Sequence, residues 1–211
     1  MEKARSMTCC GSKGWYTRGY LPHLDARSVP QSITFRLADS LPQEKCREWA
    51  RELEAMPAGR RDRVWRRTID DWLDAGMGCC ALRHPRVADV VQETLLRFDG
   101  SRYRLLAWCV MPNHVHVLIE PADALPKIVQ SWKSYTGRWA LARNAELGLG
   151  VPGARLWMRE YWDRYIRDQR HLDAVVEYIH RNPVKAGLCG RPEEWLWSSA
   201  SRRTGIGATG D

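Results

Sequence analysis

The sequence has no apolar stretch near the roughly 20 residues that a membrane-spanning helix needs. No apolar segment follows the polar start Met-Glu-Lys-Ala-Arg-Ser, so a secretory signal is not expected. The 7 cysteines are odd in number, and their spacing matches neither a zinc ribbon nor a disulfide framework. Such cysteine usage is typical of a reducing compartment. We therefore expect a cytoplasmic protein that does not bind a membrane.

The chain is also poor in acidic residues relative to basic ones, and poor in phenylalanine. Lys and Arg number 33 against 25 Asp and Glu, which gives a formal net charge of +8. An excess of positive charge indicates an anionic partner, of which nucleic acid is the commonest. The 11 tryptophans stand beside only 2 phenylalanines, and indole rings can serve either as core or as surfaces on which unpaired bases stack.

Two of the chain's 6 histidines, His114 and His116, lie one residue apart in an apolar run. The run is rich in Val, Leu and Ile and predicts a β-strand. Side chains alternate along a strand, so both imidazoles share one face, separated by about 6.6 Å of backbone rise. They are either a pair of metal ligands or chance histidines on a solvated strand face.

The remaining pattern predicts an α+β fold, with helices packed on an antiparallel sheet. We expect strands at residues 31–37, 103–111 and 156–167, and a hairpin that joins residues 103–111 to the histidine strand. Helices are expected at about residues 41–56 and 60–73, from residue 85, at residues 125–143 and at residues 171–182, where Pro183 should end the last one. The segment after Trp197 is expected to fray.

The last predicted helix carries Tyr178 and Asn182 on one flank of its apolar stripe. Residues four apart on a helix have Cβ atoms about 5–6 Å from each other. A tyrosine in this position is ordinarily a core-edge residue that uses its hydroxyl as a polar handle. Next to two histidines, however, a phenol and an amide indicate metal-assisted attack on a phosphodiester. A divalent cation polarises a phosphodiester, and a tyrosine attacks it to form a covalent phosphotyrosine.

Several segments in order resemble the HUH endonucleases, and most closely their REP-associated, single-tyrosine (IS200-like) transposases. The first is Met-Pro-Asn-His-Val-His-Val-Leu-Ile at 111–119, followed by Trp-Asp-Arg-Tyr-Ile-Arg-Asp at 162–168. Val-Glu-Tyr-Ile-His-Arg-Asn-Pro-Val-Lys-Ala-Gly-Leu at 176–188 and Trp-Leu-Trp-Ser-Ser at 195–199 come next. Segments 18–24 and 32–42 are similar as well, so the resemblance covers roughly residues 15–200.

The resemblance implies a ferredoxin-like sheet and a single IS200-like transposase domain over residues 15–200, between flexible tails at 1–14 and 201–211. It implies Mg²⁺ or Mn²⁺ at His114 and His116, with Asn182 as a polar third ligand. Many relatives carry the longer Gln where this chain has Asn182. Tyr178 is the implied nucleophile, acting on single-stranded or hairpin DNA of the REP type.

Other functions are open on the sequence alone. The chain is either a metal-dependent single-stranded DNA endonuclease and strand transferase or a DNA-binding regulator of palindromic repeats with little or no catalysis. An RNA-binding ferredoxin-like module and a zinc hydrolase are weaker alternatives. We expect a nucleoid-associated bacterial protein that is a monomer, with a dimer as the alternative. The expected DNA contacts are Arg18, Lys133, Arg138, Arg164, Arg167 and Lys185.

Overall fold

The computed structural model describes residues 14–17, 22–25, 28–41, 68–69 and 71–203. Arg18, residues 1–13 and residues 204–211 lie outside the described residues, as does nearly all of the two helices predicted between residues 41 and 73. The tails and the single-domain boundaries therefore stay predictions. Within the described part, residues 68–69 and 71–74 are helical.

The strands are β1 Gly14–Thr17, β2 Pro22–Asp25, β3 Gln31–Arg36, β4 Tyr103–Val110, β5 His114–Pro121 and β6 Trp162–Tyr165. The centre of the molecule is a four-stranded sheet in the order β4-β5-β3-β6, in which every neighbouring pair is antiparallel. Together with the two helices between the strands, this is the strand–helix–strand–strand–helix–strand arrangement of a ferredoxin-like fold. The predicted α+β architecture is confirmed. A separate two-stranded sheet is formed by β1 and β2.

The helices follow from amphipathic stripes and from the residues at their ends. α1 has Pro85 at its first position, where a missing N–H is tolerated, and buries Val87, Val91 and Leu95 at intervals of four. Asp168 caps the N-terminus of α3, since its carboxylate accepts a hydrogen bond from the backbone N–H of His171. The helices are α1 Pro85–Leu96, α2 Leu125–Ala142, α3 Gln169–Lys185 and α4 Ser199–Arg203, with 3-10 turns at Ala81–Arg83 and Pro192–Glu194. None of the helices in the described ranges is both long enough and apolar enough to cross a bilayer.

The two faces of the sheet carry different layers. Val115 and Val117 of β5 point into the main core with α1 and α2, as the alternation predicted. On the other face, Leu118 packs with Cys109 of β4 and Ile179 of α3. α3, which carries Tyr178, therefore covers the face of the sheet to which the histidines belong.

A β-bulge in β4 explains why its sequence does not alternate simply. The register with β5 shifts between Leu105 and Ala107. Leu105 packs toward the main core, whereas Ala107 belongs to the cluster under α3. One extra residue thus changes which face the following side chains occupy.

Three sequence-based expectations are wrong in extent. The strand predicted over residues 156–167 is regular only at Trp162–Tyr165, because β3 ends at Arg36 and only an isolated bridge joins Leu37 to Trp157. A proline in the last turn of a helix removes only one backbone hydrogen bond, and the ring of Pro183 is buried. α3 therefore continues through Pro183. Beyond Trp197 the chain does not fray at once, since Ser198 is fully buried and pairs with Cys109 of β4 before α4 begins.

Candidate active site

His114 and His116 lie side by side near the start of β5 and are buried, with 1% and 2% of their surface exposed. Their Nε2 atoms are 3.0 Å apart, and their rings are nearly perpendicular. The alternative that these are chance histidines on a solvated strand face is wrong, because α3 and the neighbouring strands enclose them. Buried polar rings need partners, and the partners determine their chemistry.

Asn113 fixes the proton on His114. The Asn113 Nδ2 donates to the carbonyl oxygen of Met77 at 3.0 Å, which leaves its Oδ1 facing the Nδ1 of His114 at 2.8 Å. An amide oxygen only accepts, so the His114 Nδ1 must be the donor. The Nε2 of His114 therefore has a free lone pair directed at His116. A hydrogen bond of this kind commonly orients histidines that bind metals.

Thr34 of β3 is the hydrogen-bond partner of His116 and can either donate or accept. Its hydroxyl lies 2.9 Å from the Nδ1 of His116. At the 3.0 Å separation of the two Nε2 atoms, the His116 Nε2–H donates to His114, and Nδ1 accepts from the Thr34 hydroxyl. A hydroxyl both donates and accepts, so Thr34 can equally partner the tautomer in which the His116 Nε2 lone pair is free. The pair can therefore present two lone pairs at one point.

Both histidines are held neutral. Burial, followed by the charges of His116 and Lys185, lowers the pKa of His114 well below its usual value. Burial and the charge of Lys185 lower the pKa of His116 to about 3. Neutral imidazole is the form that binds metal ions, so the site needs no deprotonation at neutral pH to be competent.

Tyr178 stands on α3 directly over this pair. Its ring centroid is 5.4 Å from that of His116 in an edge-to-face arrangement, and 39% of the residue is exposed. Tyr178 thus combines contact with His116 and access from solvent. Tyr161 is buried in the main core, and Tyr165 of β6 alternates toward the opposite face of the sheet.

Asn182, one turn after Tyr178, is 1% exposed, and neither atom of its amide has a hydrogen-bond partner within the described residues. An unpaired buried amide is unfavourable by roughly 1–3 kcal/mol unless something binds it. Two neutral imidazoles and an amide oxygen suit a divalent cation whose remaining ligands are water and phosphate. No group of three or more His, Cys, Asp or Glu that could hold a metal occurs in the described part. A third protein ligand beside the two imidazoles would therefore have to be of another residue type, such as an amide.

Lys185, at the end of α3, is engaged within the chain. Its Nζ lies 3.0 Å from Asp71 Oδ1 and 2.8 Å from Asp74 Oδ2, and these ion pairs tie α3 to the helical residues 71–74. Burial raises the pKa of Asp74, although the hydrogen bond from Lys185 opposes the shift. The Lys185 ammonium thus lies between two carboxylates. Its predicted role as a DNA contact stays a prediction.

Replacing Lys185 by Met should lower the free energy of unfolding by about 1–2 kcal/mol, because the Asp74 carboxylate then loses its counter-charge. The value is below the 3–5 kcal/mol of a fully buried pair, since Lys185 is half exposed. Chemical denaturation measures it. Arg181→Met is the matched control, because it removes an exposed pair with Glu177 on the same helix and should change stability by less than about 0.5 kcal/mol. Equal destabilisation of both variants would contradict a special role for Lys185.

The other predicted DNA contacts fall in two places. Arg164 is exposed on β6, and Arg167 is exposed just before α3. Lys133 and Arg138 lie on α2, on the other side of the sheet from the histidines, so the structure does not bring all the predicted contacts together. Sequence reasoning missed the residues that orient the histidines: Asn113, whose only signal is its place before His114, and Thr34, which no sequence pattern marks.

The chain is similar to known proteins over the segment that contains these residues. The model of the IS200-like transposase family matches residues 83–182, a segment that contains His114, His116, Tyr178 and Asn182. A REP-associated tyrosine transposase of Escherichia coli is 23% identical over 114 residues, which are 54% of this chain and 64% of that protein. A Haemophilus influenzae protein named for the same class is 27% identical over 106 residues, 47% of this chain and 60% of that protein.

A solved structure supports the fold. A REP-associated tyrosine transposase bound to a REP hairpin superimposes with a TM-score of 0.53 at 16% identity, covering 92% of this chain and 89% of that one. The two sequence relatives are matched over less than two thirds of their own lengths. The segment that matches the family model is nonetheless the one that contains the two histidines and the tyrosine.

Proposed function

The model of the IS200-like transposase family matches residues 83–182, and from this similarity we propose that the chain is a metal-dependent single-stranded DNA endonuclease and strand transferase. The observation that carries the proposal is the contact of Tyr178 with His116, because a solvent-accessible tyrosine then lies beside two neutral imidazoles. The proposed substrate is a REP-type DNA hairpin, the ligand named for the related solved structure. Such an enzyme acts on chromosomal DNA, in the bacterial cytoplasm at the nucleoid.

The proposed reaction is an in-line displacement at phosphorus. The Tyr178 hydroxyl oxygen forms a bond to phosphorus and loses its proton, while the bond from phosphorus to the 3′ oxygen breaks and that oxygen gains a proton. The products are a 5′-phosphotyrosine and a free 3′-hydroxyl. Attack by a 3′-hydroxyl on the phosphotyrosine reverses the step, so the energy of the phosphodiester is kept for rejoining.

The side chains around Tyr178 have separable duties in this reaction. His114, His116 and Asn182 are the proposed ligands of Mg²⁺ or Mn²⁺, which when bound neutralises the charge that develops on the phosphoryl oxygens. Asn113 and Thr34 keep the two imidazoles in ligating orientations. Tyr178 is carried by α3, so its position beside His116 is set by helix packing and not by a loop.

We also propose that the chain acts as a monomer. Tyr178 contacts His116 of its own chain, so the nucleophile and both histidines come from one molecule. A second copy is not needed to complete this set. The alternative function, a DNA-binding regulator with little or no catalysis, is less well supported, because it leaves the buried amide of Asn182 without a purpose.

The test is to incubate the purified protein with a REP-type hairpin oligonucleotide and Mn²⁺ and to look for a DNA adduct that survives denaturant. We expect the adduct with the hairpin and not with a perfect duplex of the same sequence, because the proposed substrate is hairpin or single-stranded DNA and a perfect duplex presents neither. Peptide mapping by mass spectrometry should place the DNA on Tyr178. DNA binding without any adduct would favour the regulator, and cleavage without an adduct would indicate attack by water.

A further inference from the structure

A surface cleft of about 380 Å³ lies between α2 and residues 154–161, away from the histidines. Trp157 at its base packs edge-to-face against Phe35 in the main core, which is the core under α1 and α2. The cleft is therefore on the side of the sheet opposite to Tyr178. Neither the proposed reaction nor the metal ligands make use of it.

The walls of the cleft are held together by specific contacts. The Lys133 Nζ on α2 donates to the carbonyl oxygen of Arg159 at 2.7 Å, and the Trp157 indole N–H donates to the Thr136 hydroxyl at 2.9 Å. At Gly137 the two walls approach closely, since a Cβ there would meet the Trp157 ring at 3.4 Å. The cleft is thus a defined feature of the packing.

The rim is cationic. Four basic residues and no carboxylate are among the residues that line the cleft. The basic residues are Lys133, Arg138, Arg155 and Arg159. Within the described residues, none of these three arginines forms an ion pair with an Asp or Glu. Three such arginines beside a lysine create a local positive potential that attracts an extended anion.

One wall of the cleft is attached to the strand beside the histidines. The Ala38 N–H donates to the Leu156 carbonyl oxygen at 2.9 Å, and the Met158 N–H donates to the Arg36 carbonyl oxygen at 2.9 Å. Arg36 in turn is the register partner of His114 in the β3–β5 pairing. The cationic cleft and the histidine pair are therefore linked through the end of β3, although they lie on opposite faces of the sheet.

We propose that this cleft is a second DNA-binding site that grips the phosphodiester backbone of the substrate away from the phosphate that is cut. The inference rests on the proposed function and extends it, since it assigns DNA contacts to Arg155 and Arg159 as well as to Lys133 and Arg138. Trp157 and Tyr161 are buried, so the cleft offers no ring for base stacking. Its contacts are with phosphates, which position DNA without selecting sequence.

The test compares two double variants of equal charge. Arg155→Gln with Arg159→Gln removes two rim cations, whereas Arg97→Gln with Arg104→Gln removes two cations near the start of β4, outside the cleft. Hairpin affinity is measured over a series of salt concentrations without divalent ions. The slope of log affinity against log salt should weaken by about 2 in the cleft variant, roughly 1 for each phosphate that is no longer neutralised, and by less than about 1 in the control. Equal slope changes in the two variants overturn the proposal.

Trimmed oligonucleotides identify which backbone the cleft holds. If it holds the duplex stem, the slope difference between the variants persists with a blunt stem-loop, and if it holds the single-stranded flank, the difference appears only with the flank present. If the slope difference is absent with both oligonucleotides while the intact protein still forms its Tyr178 adduct, the cleft is not a DNA-binding site and the proposed nuclease activity is unaffected. A slope difference without any adduct upholds the cleft as a DNA site and counts against the nuclease.

Discussion

Tyr178→Phe should abolish the covalent DNA adduct while hairpin binding and Mn²⁺ binding persist. The substitution removes only the hydroxyl, and the ring that packs edge-to-face on His116 remains. Loss of the nucleophile from an enzyme that acts through a covalent intermediate reduces the rate on the order of 10⁴-fold or more. Adduct formation on a denaturing gel, together with hairpin affinity measured in parallel, checks both halves of the expectation.

Tyr165→Phe is the matched control for this variant. Tyr165 is exposed to a similar extent, 38% against 39%, but lies on β6 and alternates toward the face opposite to the histidines. Its replacement should leave the adduct yield unchanged. An adduct that persists in Tyr178→Phe and disappears in Tyr165→Phe would move the nucleophile to β6 and would contradict the site described above.

The local geometry of the site was predictable because it depends on short-range periodicity. The two-residue spacing places His114 and His116 on one strand face, and the four-residue spacing places Tyr178 and Asn182 on one helix flank. That these two faces meet was implied only by the family resemblance. Ala107 packs in the cluster under α3 only after the β4 register shift that follows Leu105, and no spacing in the sequence reveals this shift.

Features that arise from tertiary packing could not be predicted in the same way. Pro183 suggested the end of a helix, but its position in the last turn and its burial let α3 continue to Lys185. Residues 156–161 looked like a strand because they are rich in Trp and Tyr, yet Trp157 is drawn into the core by Phe35 and Thr136. This departure from the sheet is what forms the cationic cleft, and so Arg155 and Arg159 were not expected as DNA contacts.

Replacing either histidine of the pair should remove metal-dependent cleavage. His114→Ala and His116→Ala each delete one of two Nε2 atoms that face each other at 3.0 Å, and the remaining ring cannot supply the second ligand. Metal stabilisation of a developing phosphoryl charge is worth several kcal/mol, which corresponds to roughly 10²–10⁴-fold in rate. Mn²⁺ titration by calorimetry and adduct yield at fixed Mn²⁺ are the two measurements.

The loss of Mn²⁺ affinity should be smaller for a residue that only orients a ligand than for the ligand itself. Asn113→Ala keeps both rings and removes only the partner of the His114 Nδ1–H, so Mn²⁺ affinity should fall by about 10–100-fold, less than in either histidine variant. Thermal unfolding of each variant verifies that the sheet is intact.

Because Tyr178 contacts His116 within one molecule, a mixture of His114→Ala and Tyr178→Phe should stay inactive. Restored cleavage in the mixture would show that two chains exchange α3, and unchanged Mn²⁺ affinity in both histidine variants would exclude the pair as the metal site.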